Sequence, residues 1–303
     1  KWKQQHTQLS RYLAASQDGV IEAKYHQTTP DFGRLFAVGS MSLQNITRAV
    51  RHTIAGHRYL DIDIENAHPN ILEFLCKQRG ITTPVLQICN QNREKMLVSL
   101  MKDTGKSRGE IKQLLLSIMN GGSAAYDKLA NPPKIVTFFK EECNNIWRKL
   151  IELDPKQFDE SKAIRIKNGK DYNHEGSFAN KMLCDFENKI LTVMVNYFKS
   201  VSLVTDTCVL CFDGVMIPKT AEFKPEVHLP GCQAAVKRAL GIEIVLKEKP
   251  MLEGLELPAD ISVYTEPRLE YFDDHNQFAG QEVSMTKIDK WVNNALVYIT
   301  GGG

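Results

Sequence analysis

The sequence predicts an α+β fold in which a small antiparallel sheet carries a long helical insertion. Three observations lead to this prediction: a strand of alternating polarity at 57–64, an Asp-Gly hairpin at 207–218, and helical periodicity over most of the chain between them. Of the 303 residues, 43% are hydrophobic and 24% are charged. That composition is typical of a globular protein and excludes a disordered chain.

The N-terminal elements follow from local patterns. Residues 1–27 are loosely helical with an interruption at Asp18-Gly19, 33–38 are extended, and 42–54 are helical. The alternation at 57–64 predicts a strand with one apolar face and one acidic face, and the acidic face continues to Glu65. Pro69 suits the first turn of a helix that runs to about Arg79 and is closed by Gly80.

The middle of the chain is predicted to be helical. Its segments are two helices within 84–121 broken at Thr104-Gly105, a helix from Pro133 to about Leu153, a basic polar loop at 161–170, and a long helix at 177–198. In the long helix, a spacing of four predicts a core stripe of Met182, Phe186, Ile190 and Met194. Glu187 beside that stripe is expected to be a surface or capping group.

The C-terminal part is predicted to return to the sheet. Strands flank Asp213-Gly214 at the hairpin tip, a helix at 226–240 is closed by Gly241, and 242–246 is a further strand. Beyond Pro250 the pattern weakens until 287–298.

Charge is distributed unevenly along the chain. The net charge is +2, but residues 252–284 carry −7 and the first 251 residues carry +8. A basic body suits a polyanionic partner such as nucleic acid, and the acidic segment would be a linker or an edge turned away from it. A solvated charge imbalance without a ligand is the alternative. No stretch has the length of apolar residues that a membrane span needs, so we expect a soluble intracellular protein.

Seven scattered cysteines predict reduced thiols rather than a disulfide framework. Cys208-x-x-Cys211, with His228 and Cys232, offers ligand types that zinc accepts. Because residues three apart in a strand point to opposite faces, core cysteines are favoured over a zinc site.

Two aspartates at the ends of apolar strands are the candidate catalytic residues. Asp63 follows Leu60-Asp61-Ile62, and Asp213 follows Val209-Leu210-Cys211-Phe212. A carboxylate in such a position is costly unless it is paired or binds a cation, and two side by side form an oxygen site suited to Mg²⁺. Asp61 lies on the same predicted face of the strand and rivals Asp63. Taken alone, Asp213 is better explained as the first residue of an Asp-Gly turn.

A cationic strip is the second candidate feature. Arg108 and Lys112 lie one turn apart on a predicted helix, where they could bind a triphosphate. Solvated helix bases are the alternative. The helix ends at Asn120-Gly121-Gly122, which allows a C-cap and the close approach of a base or a template backbone.

The order of these features resembles that of family A DNA polymerases. Gly33-Arg34-Leu35 followed by Leu43-Gln44-Asn45-Ile46 is similar to the segment before their catalytic strand, and Asp63 to Asn70 is similar to motif A. Arg108-x3-Lys112-x3-Leu116-x3-Asn120-Gly121 resembles the fingers-helix motif R-x3-K-x3-F-x3-YG, and Asp213 stands where motif C has its aspartate.

The departures from that pattern point to a compact branch of the group. Phe212 replaces the usual histidine, Gly214 replaces the usual acid, His68 stands at the sugar-discriminating position, and Asn120 replaces the motif B tyrosine. Only 32 residues precede Gly33, which is too short for a full thumb. The chain most resembles the transposon-virus polymerases (TV-Pol), which are related to family A and to T7-like RNA polymerases. In virophages these are commonly fused to a superfamily 3 helicase.

The resemblance implies a right-hand polymerase palm with a helical fingers insertion and a reduced thumb. The polymerase domain would be 1–251, with the palm at 28–80 and 200–251 and the fingers at 81–199, and 252–303 would be an acidic linker leading into a C-terminal helicase. Asp63 and Asp213 would bind two Mg²⁺ or Mn²⁺ ions. The nucleoside triphosphate would contact Arg108, Lys112, His68, Asn120 and Gly121, and the DNA template and primer would contact Arg34, Gln44 and Asn45.

The implied function is template-directed DNA polymerase or primase activity in the replication of a virus or mobile element, at a viral replication site in the host cytoplasm. His68, at the sugar-discriminating position, and Asn120, at the motif B position, do not indicate whether the substrates are deoxynucleotides or ribonucleotides. Two other classes remain open. A two-metal nuclease or recombinase could use the same aspartates without the Arg108 and Lys112 helix, and a non-catalytic DNA-binding module of a helicase would not need the aspartates.

Overall fold

A computed structural model of the protein describes residues 2–16, 20–29, 32–40, 42–204 and 207–255. The chain folds into two compact units. One comprises the described residues among 1–24, 37–60 and 250–303, and the other comprises those among 25–36 and 61–249. Asp18-Gly19, the pattern at 287–298 and most of the acidic segment lie outside the described residues. Among those described, no helix has the length and apolar character to cross a membrane.

The smaller unit contains the helices α1 (Trp2–Ala15) and α2 (Arg48–Ala55). A short 3-10 turn, Leu43–Asn45, begins after Ser42, whose Oγ accepts a hydrogen bond from the Gln44 N–H. The helix predicted at 42–54 is therefore a turn followed by a shorter helix. The division follows from the Ser42 cap, because the cap starts a turn that ends before α2 begins.

The larger unit contains two sheets. The strand β1 (Tyr25–Thr29) pairs with β2 (Phe32–Ala37). The helical expectation for residues up to 27 is wrong there, because strand pairing overrides a weak local preference. The second sheet has the order β4 (Val209–Leu210), β5 (Gly214–Pro218), β3 (Tyr59–Ile64) and β6 (Leu246–Lys249). The prediction of a small antiparallel sheet in an α+β fold is confirmed, with β3 antiparallel to β6 and β4 antiparallel to β5.

The last strand lies further along the chain than predicted. Ile242 and Ile244 are buried, but the ladder with β3 begins only at Leu246, which pairs with Ile64. In this segment the buried isoleucines therefore come before the residues that pair with β3. As a consequence, Lys247 lies opposite Asp63 and Lys249 lies opposite Asp61.

Helices make up most of the larger unit. In its described part they are α3 (Ala67–Gln78), α4 (Pro84–Gln91), α5 (Arg93–Thr104), α6 (Arg108–Met119), α7 (Lys134–Leu153), α8 (Pro155–Lys167), α9 (His174–Ser200) and α10 (Pro225–Leu240). The break at Gly105 is confirmed, but Asn92 adds another, so 84–121 holds three helices. The loop predicted at 161–170 is mostly α8, because Asp154 caps that helix through the Gln157 N–H and its basic residues favour helix.

The long helix α9 forms much of the core. Met182, Ile190 and Met194 are buried, which confirms three positions of the predicted stripe. Phe186 is only partly buried and packs against Phe74 of α3, with ring centroids 5.3 Å apart. Because α9 packs against α3, α10 and β5, its side chains reach the region where the candidate aspartates lie.

Candidate active site

Asp63 lies on β3, and Asp213 lies in the turn directly before the neighbouring strand β5. The Ile64 N–H of β3 donates a hydrogen bond to the Asp213 carbonyl oxygen at 3.0 Å. A Cβ atom on Gly214 would lie 2.7 Å from Asp63 Oδ1 and 2.5 Å from the Ile62 carbonyl oxygen. Glycine is therefore required at this point, and the structure brings together the two aspartates that the sequence singled out.

The turn that presents Asp213 differs from the predicted Asp-Gly tip. The Cys211 N–H donates to the Gly214 carbonyl oxygen at 2.8 Å, so the central residues of the turn are Phe212 and Asp213. Phe212 has a φ of +66°, a conformation in which a bulky residue is strained. Its ring packs against Phe36, with centroids 5.9 Å apart, and contacts the Arg34 guanidinium. These contacts hold the strained turn in place.

Burial and repulsion dominate the electrostatics of Asp213. Burial, followed by the negative charges of Asp63 and Glu187, raises the pKa of Asp213 to about 7, and the charge of Lys249 partly opposes the shift. At neutral pH this carboxyl group is poised between its charged and neutral forms. A divalent cation beside the two acids would favour the charged form.

A lysine that the sequence reasoning missed provides positive charge at the pair. Lys249 Nζ lies 2.6 Å from Asp63 Oδ2. Burial would lower the pKa of Lys249, but the hydrogen bond to Asp63 and the charges of Asp63, Asp213 and Asp61 raise it. The signal in the sequence is the alternation Lys247-Glu248-Lys249, which continues a strand rather than ending it. Asp61, the rival candidate, is 4% exposed on the same face of β3.

A buried ion network joins three elements beside the aspartates. Glu187 of α9 is 1% exposed and accepts hydrogen bonds from Arg34 Nε at 2.9 Å and Arg34 Nη2 at 2.8 Å. His68 Nε2 of α3 lies 2.9 Å from Glu187 Oε2. Burial would lower the pKa of His68, but its hydrogen bonds to Cys184 and Glu187 and the charge of Glu187 raise it to about 9. The network therefore carries two positive charges and one negative charge at neutral pH.

Glu187 was expected on the surface, and that expectation is wrong. Leu183 and Leu191, one turn before it and one turn after it, are both buried, so Glu187 lies on the buried face of α9. The spacing of four from Leu183 and Leu191 is the signal in the sequence for this burial. Arg34 and His68 compensate its burial.

The cationic strip lies on α6. Ser107 caps this helix and forms a capping box with Glu110. Arg108 is paired with Glu94 at 2.7 Å on the surface. Burial, then the charges of Arg108 and Arg93, lower the pKa of Lys112, and the charge of Lys249 acts in the same direction. Lys112 therefore lies within electrostatic range of the lysine that contacts Asp63.

The end of α6 is packed against α9. Asn120 Oδ1 accepts a hydrogen bond from Asn180 Nδ2 at 3.2 Å. Gly121 has a φ of +72°, and a Cβ atom on it would lie 2.7 Å from Gly176 Cα. The close approach expected at Gly121 is thus made by the backbone of α9.

No family model matches the chain. Over 256 residues, 80% of the chain, it is 30% identical to the Sputnik virophage protein V13, which is named as a helicase, and it spans 32% of that protein. The structure matches the POL domain of Pol1 from M. smegmatis, solved in complex with DNA primer-template and dNTP. That match has a TM-score of 0.52 and 14% identity, and it covers 81% of the chain and 50% of the polymerase.

The chain has a fold similar to that of a DNA polymerase domain.

In the smaller unit, the expected template contacts have local roles. Gln44 is buried, and its Oε1 accepts a hydrogen bond from the Ala37 N–H at 3.2 Å. Asn45 Oδ1 is buried without a hydrogen-bond partner among the described residues.

The donor set at Asp63 and Asp213 suits a hard divalent cation. Among the described residues, no group of three or more His, Cys, Asp or Glu side chains is arranged to hold a metal. Mg²⁺ is commonly held by one or two carboxylates with substrate phosphates completing its shell, so a pair of aspartates is sufficient. Lys249 already places a cation 2.6 Å from Asp63. His228 of the alternative zinc set accepts a hydrogen bond from the Lys224 N–H through Nδ1.

Proposed function

We propose that this chain is a template-directed nucleic acid polymerase or primase-polymerase domain that performs two-metal nucleotidyl transfer. The observation that carries the proposal is the meeting of Asp63 on β3 with Asp213 in the turn before the adjacent strand β5, with a pKa of about 7 at Asp213. The similarity of fold to a DNA polymerase domain supports it. Carboxylates that repel each other beside the two central strands of a sheet are costly for folding alone, and cation binding compensates that cost.

In this proposal Asp63 and Asp213 hold two Mg²⁺ or Mn²⁺ ions. When bound, the ions would align the attacking hydroxyl with the α-phosphate and neutralise the developing negative charge. The two carboxylates fix the position of the reacting groups, and Gly214 keeps Oδ1 of Asp63 close to the Asp213 strand.

The cationic face of α6 would bind the triphosphate. Lys112 is the better placed residue, since it lies near Lys249 and has a pKa lowered by burial and by neighbouring bases. Arg108 is engaged with Glu94 and must exchange that carboxylate for a phosphate. Both residues would stabilise charge on the leaving pyrophosphate.

The other predicted contacts are of two kinds, to the nucleotide and to the template and primer. His68 and Asn120, with Gly121, are proposed to shape the nucleotide pocket, His68 as an imidazolium held by Glu187. Arg34, Gln44 and Asn45 are proposed to contact template and primer. For Gln44 this requires release of the Ala37 N–H.

The chain is proposed to be the polymerase part of a longer virophage-type protein that also contains a helicase, acting at a viral replication site in the host cytoplasm. The name of V13, of which the chain spans 32%, supports a helicase in the same protein. We propose that 28–80 and 200–251 form the palm and 81–199 the fingers, with a reduced thumb.

The direct test uses Asp63→Asn and Asp213→Asn on labelled primed and unprimed templates with Mg²⁺, with deoxynucleotides or ribonucleotides. Both variants should lose extension by several orders of magnitude while DNA affinity stays nearly unchanged. Asp127→Asn, at a surface carboxylate paired with Lys140, is the matched control and should extend normally. Full activity in either active-site variant would refute the proposal.

The same assay separates the other classes. Shortening of the labelled strand without nucleotides, lost in both variants, would indicate a nuclease. A binding module predicts neither lengthening nor shortening, and a slight rise in DNA affinity when both aspartates become asparagine.

A further inference from the structure

Two lysines of β6 reach across to β3 with the same diagonal geometry. Lys249 lies opposite Asp61 but bonds Asp63 Oδ2 at 2.6 Å, and Lys247 lies opposite Asp63 but bonds Glu65 Oε1 at 2.7 Å. Each ammonium therefore contacts the acid two residues further along β3. The two ion pairs are geometric equivalents on one face of one strand pair.

The surroundings of the two pairs differ. The Lys247 and Glu65 side chains are 62% and 38% exposed, which is an ordinary surface ion pair. Asp63 is only 20% exposed, and the charges of Asp213 and Asp61 also act on Lys249. Lys249 therefore opposes repulsion within an acidic cluster, whereas Lys247 neutralises one surface acid.

The two carboxylate oxygens of Asp63 have different neighbours. Oδ1 is turned towards Gly214, since a Cβ atom there would lie 2.7 Å from it, and Oδ2 is taken by Lys249 Nζ. A cation that approaches Oδ2 meets the ammonium group. The Lys249 side chain is 43% exposed, so its flexible stem can turn towards solvent without moving β6.

We propose that Lys249 is an exchangeable counter-ion of the Asp63 and Asp213 pair: its ammonium neutralises Asp63 in the metal-free protein, and a divalent cation binds in competition with it. The inference rests on the proposed function, which requires the cation. Lys249 thereby keeps the acidic pair folded when metal is scarce and weakens the apparent affinity for metal.

The test compares Lys249→Gln with Lys247→Gln, which removes the same charge two residues away. Mn²⁺ binding is followed by the electron paramagnetic resonance of free Mn²⁺, and unfolding is followed with EDTA and with Mg²⁺. Lys249→Gln should bind Mn²⁺ about fivefold more tightly, because a half-exposed ion pair contributes only a modest free energy. In EDTA this variant should also unfold at a lower temperature than the wild-type protein, and Mg²⁺ should restore its unfolding temperature.

Two control variants show whether a change in Mn²⁺ affinity comes from the charge of Lys249. Lys247→Gln should leave Mn²⁺ affinity at the wild-type value, and Lys249→Arg, which keeps the charge, should not tighten binding. Wild-type affinity in Lys249→Gln, with Mn²⁺ binding still lost in Asp63→Asn, would overturn the counter-ion inference and leave the proposed function standing. Absence of Asp63-dependent Mn²⁺ binding in the wild-type chain would overturn both.

Discussion

The guanidinium of Arg34 lies 4.5 Å from the centre of the Phe212 ring and at the same time donates two hydrogen bonds to Glu187. One side chain thus links a fully buried carboxylate on α9 to the strained residue that precedes Asp213. Buried ion pairs often contribute little net stability, but removing one partner leaves an uncompensated buried charge. The position of Asp213 therefore depends on a network that includes neither catalytic candidate.

Arg34→Met should lower the free energy of unfolding by about 3 kcal/mol, because Glu187 then keeps, among the described residues, only His68 as a cationic partner. Arg48→Met is the control, since Arg48 and Glu253 form an exposed pair at 3.2 Å. Its effect should stay below about 1 kcal/mol. Urea unfolding of both variants measures the difference, and similar values would show that the Glu187 network is not a buried charge pair in solution.

His68 should make stability depend on alkaline pH. Its pKa is raised from 6.5 to about 9 in the folded protein, so the stabilising contribution is complete below about 6.5 and is lost as the pH rises through about 9. His68→Gln should flatten this part of the profile of unfolding free energy against pH. A wild-type profile as flat as that of the variant would contradict a protonated His68 beside Glu187.

Asp213 should also make the fold less stable as the pH rises, because its pKa is raised in the folded protein as well. In the metal-free protein its pKa rises from 3.8 to about 7, so ionisation destabilises the fold increasingly between these values. Asp213→Asn, in EDTA, should therefore be more stable than the wild type above pH 7 and lose that advantage towards pH 4. Thermal unfolding across this range tests it, and a difference independent of pH would argue against an ionising Asp213.

Much of the fold could be predicted because its signals are local. The alternation before Asp63, Gly105 after α5 and Gly241 after α10 each define an element by a neighbouring residue. The predictions that failed concern elements whose position depends on strand pairing or on a helix cap. The strand β1 and the true position of β6 depend on distant partners, and α8 depends on the Asp154 cap.

The candidate site could be predicted only in part. Asp63 and Asp213 each stand next to an apolar strand, so their environment is visible in the sequence. Lys249 and Glu187 were missed because their significance comes from other elements: β3 for Lys249, and β2 and α3 for Glu187.

The junction of α6 and α9 provides a last prediction, based on two glycines of opposite character. A Cβ atom on Gly176 would collide with the Asn120 carbonyl oxygen and lie 2.5 Å from Asn173 Oδ1, whereas a Cβ atom on Gly109 would meet nothing within 4 Å. Gly176→Ala should therefore destabilise the protein by about 2 kcal/mol, because backbone must move. Gly109→Ala should stabilise α6 by up to about 1 kcal/mol.

The same pair of variants tests whether this junction serves the nucleotide. Asn120 and Gly121 lie at the end of α6 that Gly176 contacts. Displacing them should raise the KM for nucleotide in Gly176→Ala at a temperature where the variant remains folded, while Gly109→Ala keeps the wild-type KM. An unchanged KM in a destabilised Gly176→Ala variant would restrict the close approach of the two helices to folding and remove Asn120 and Gly121 from the nucleotide pocket.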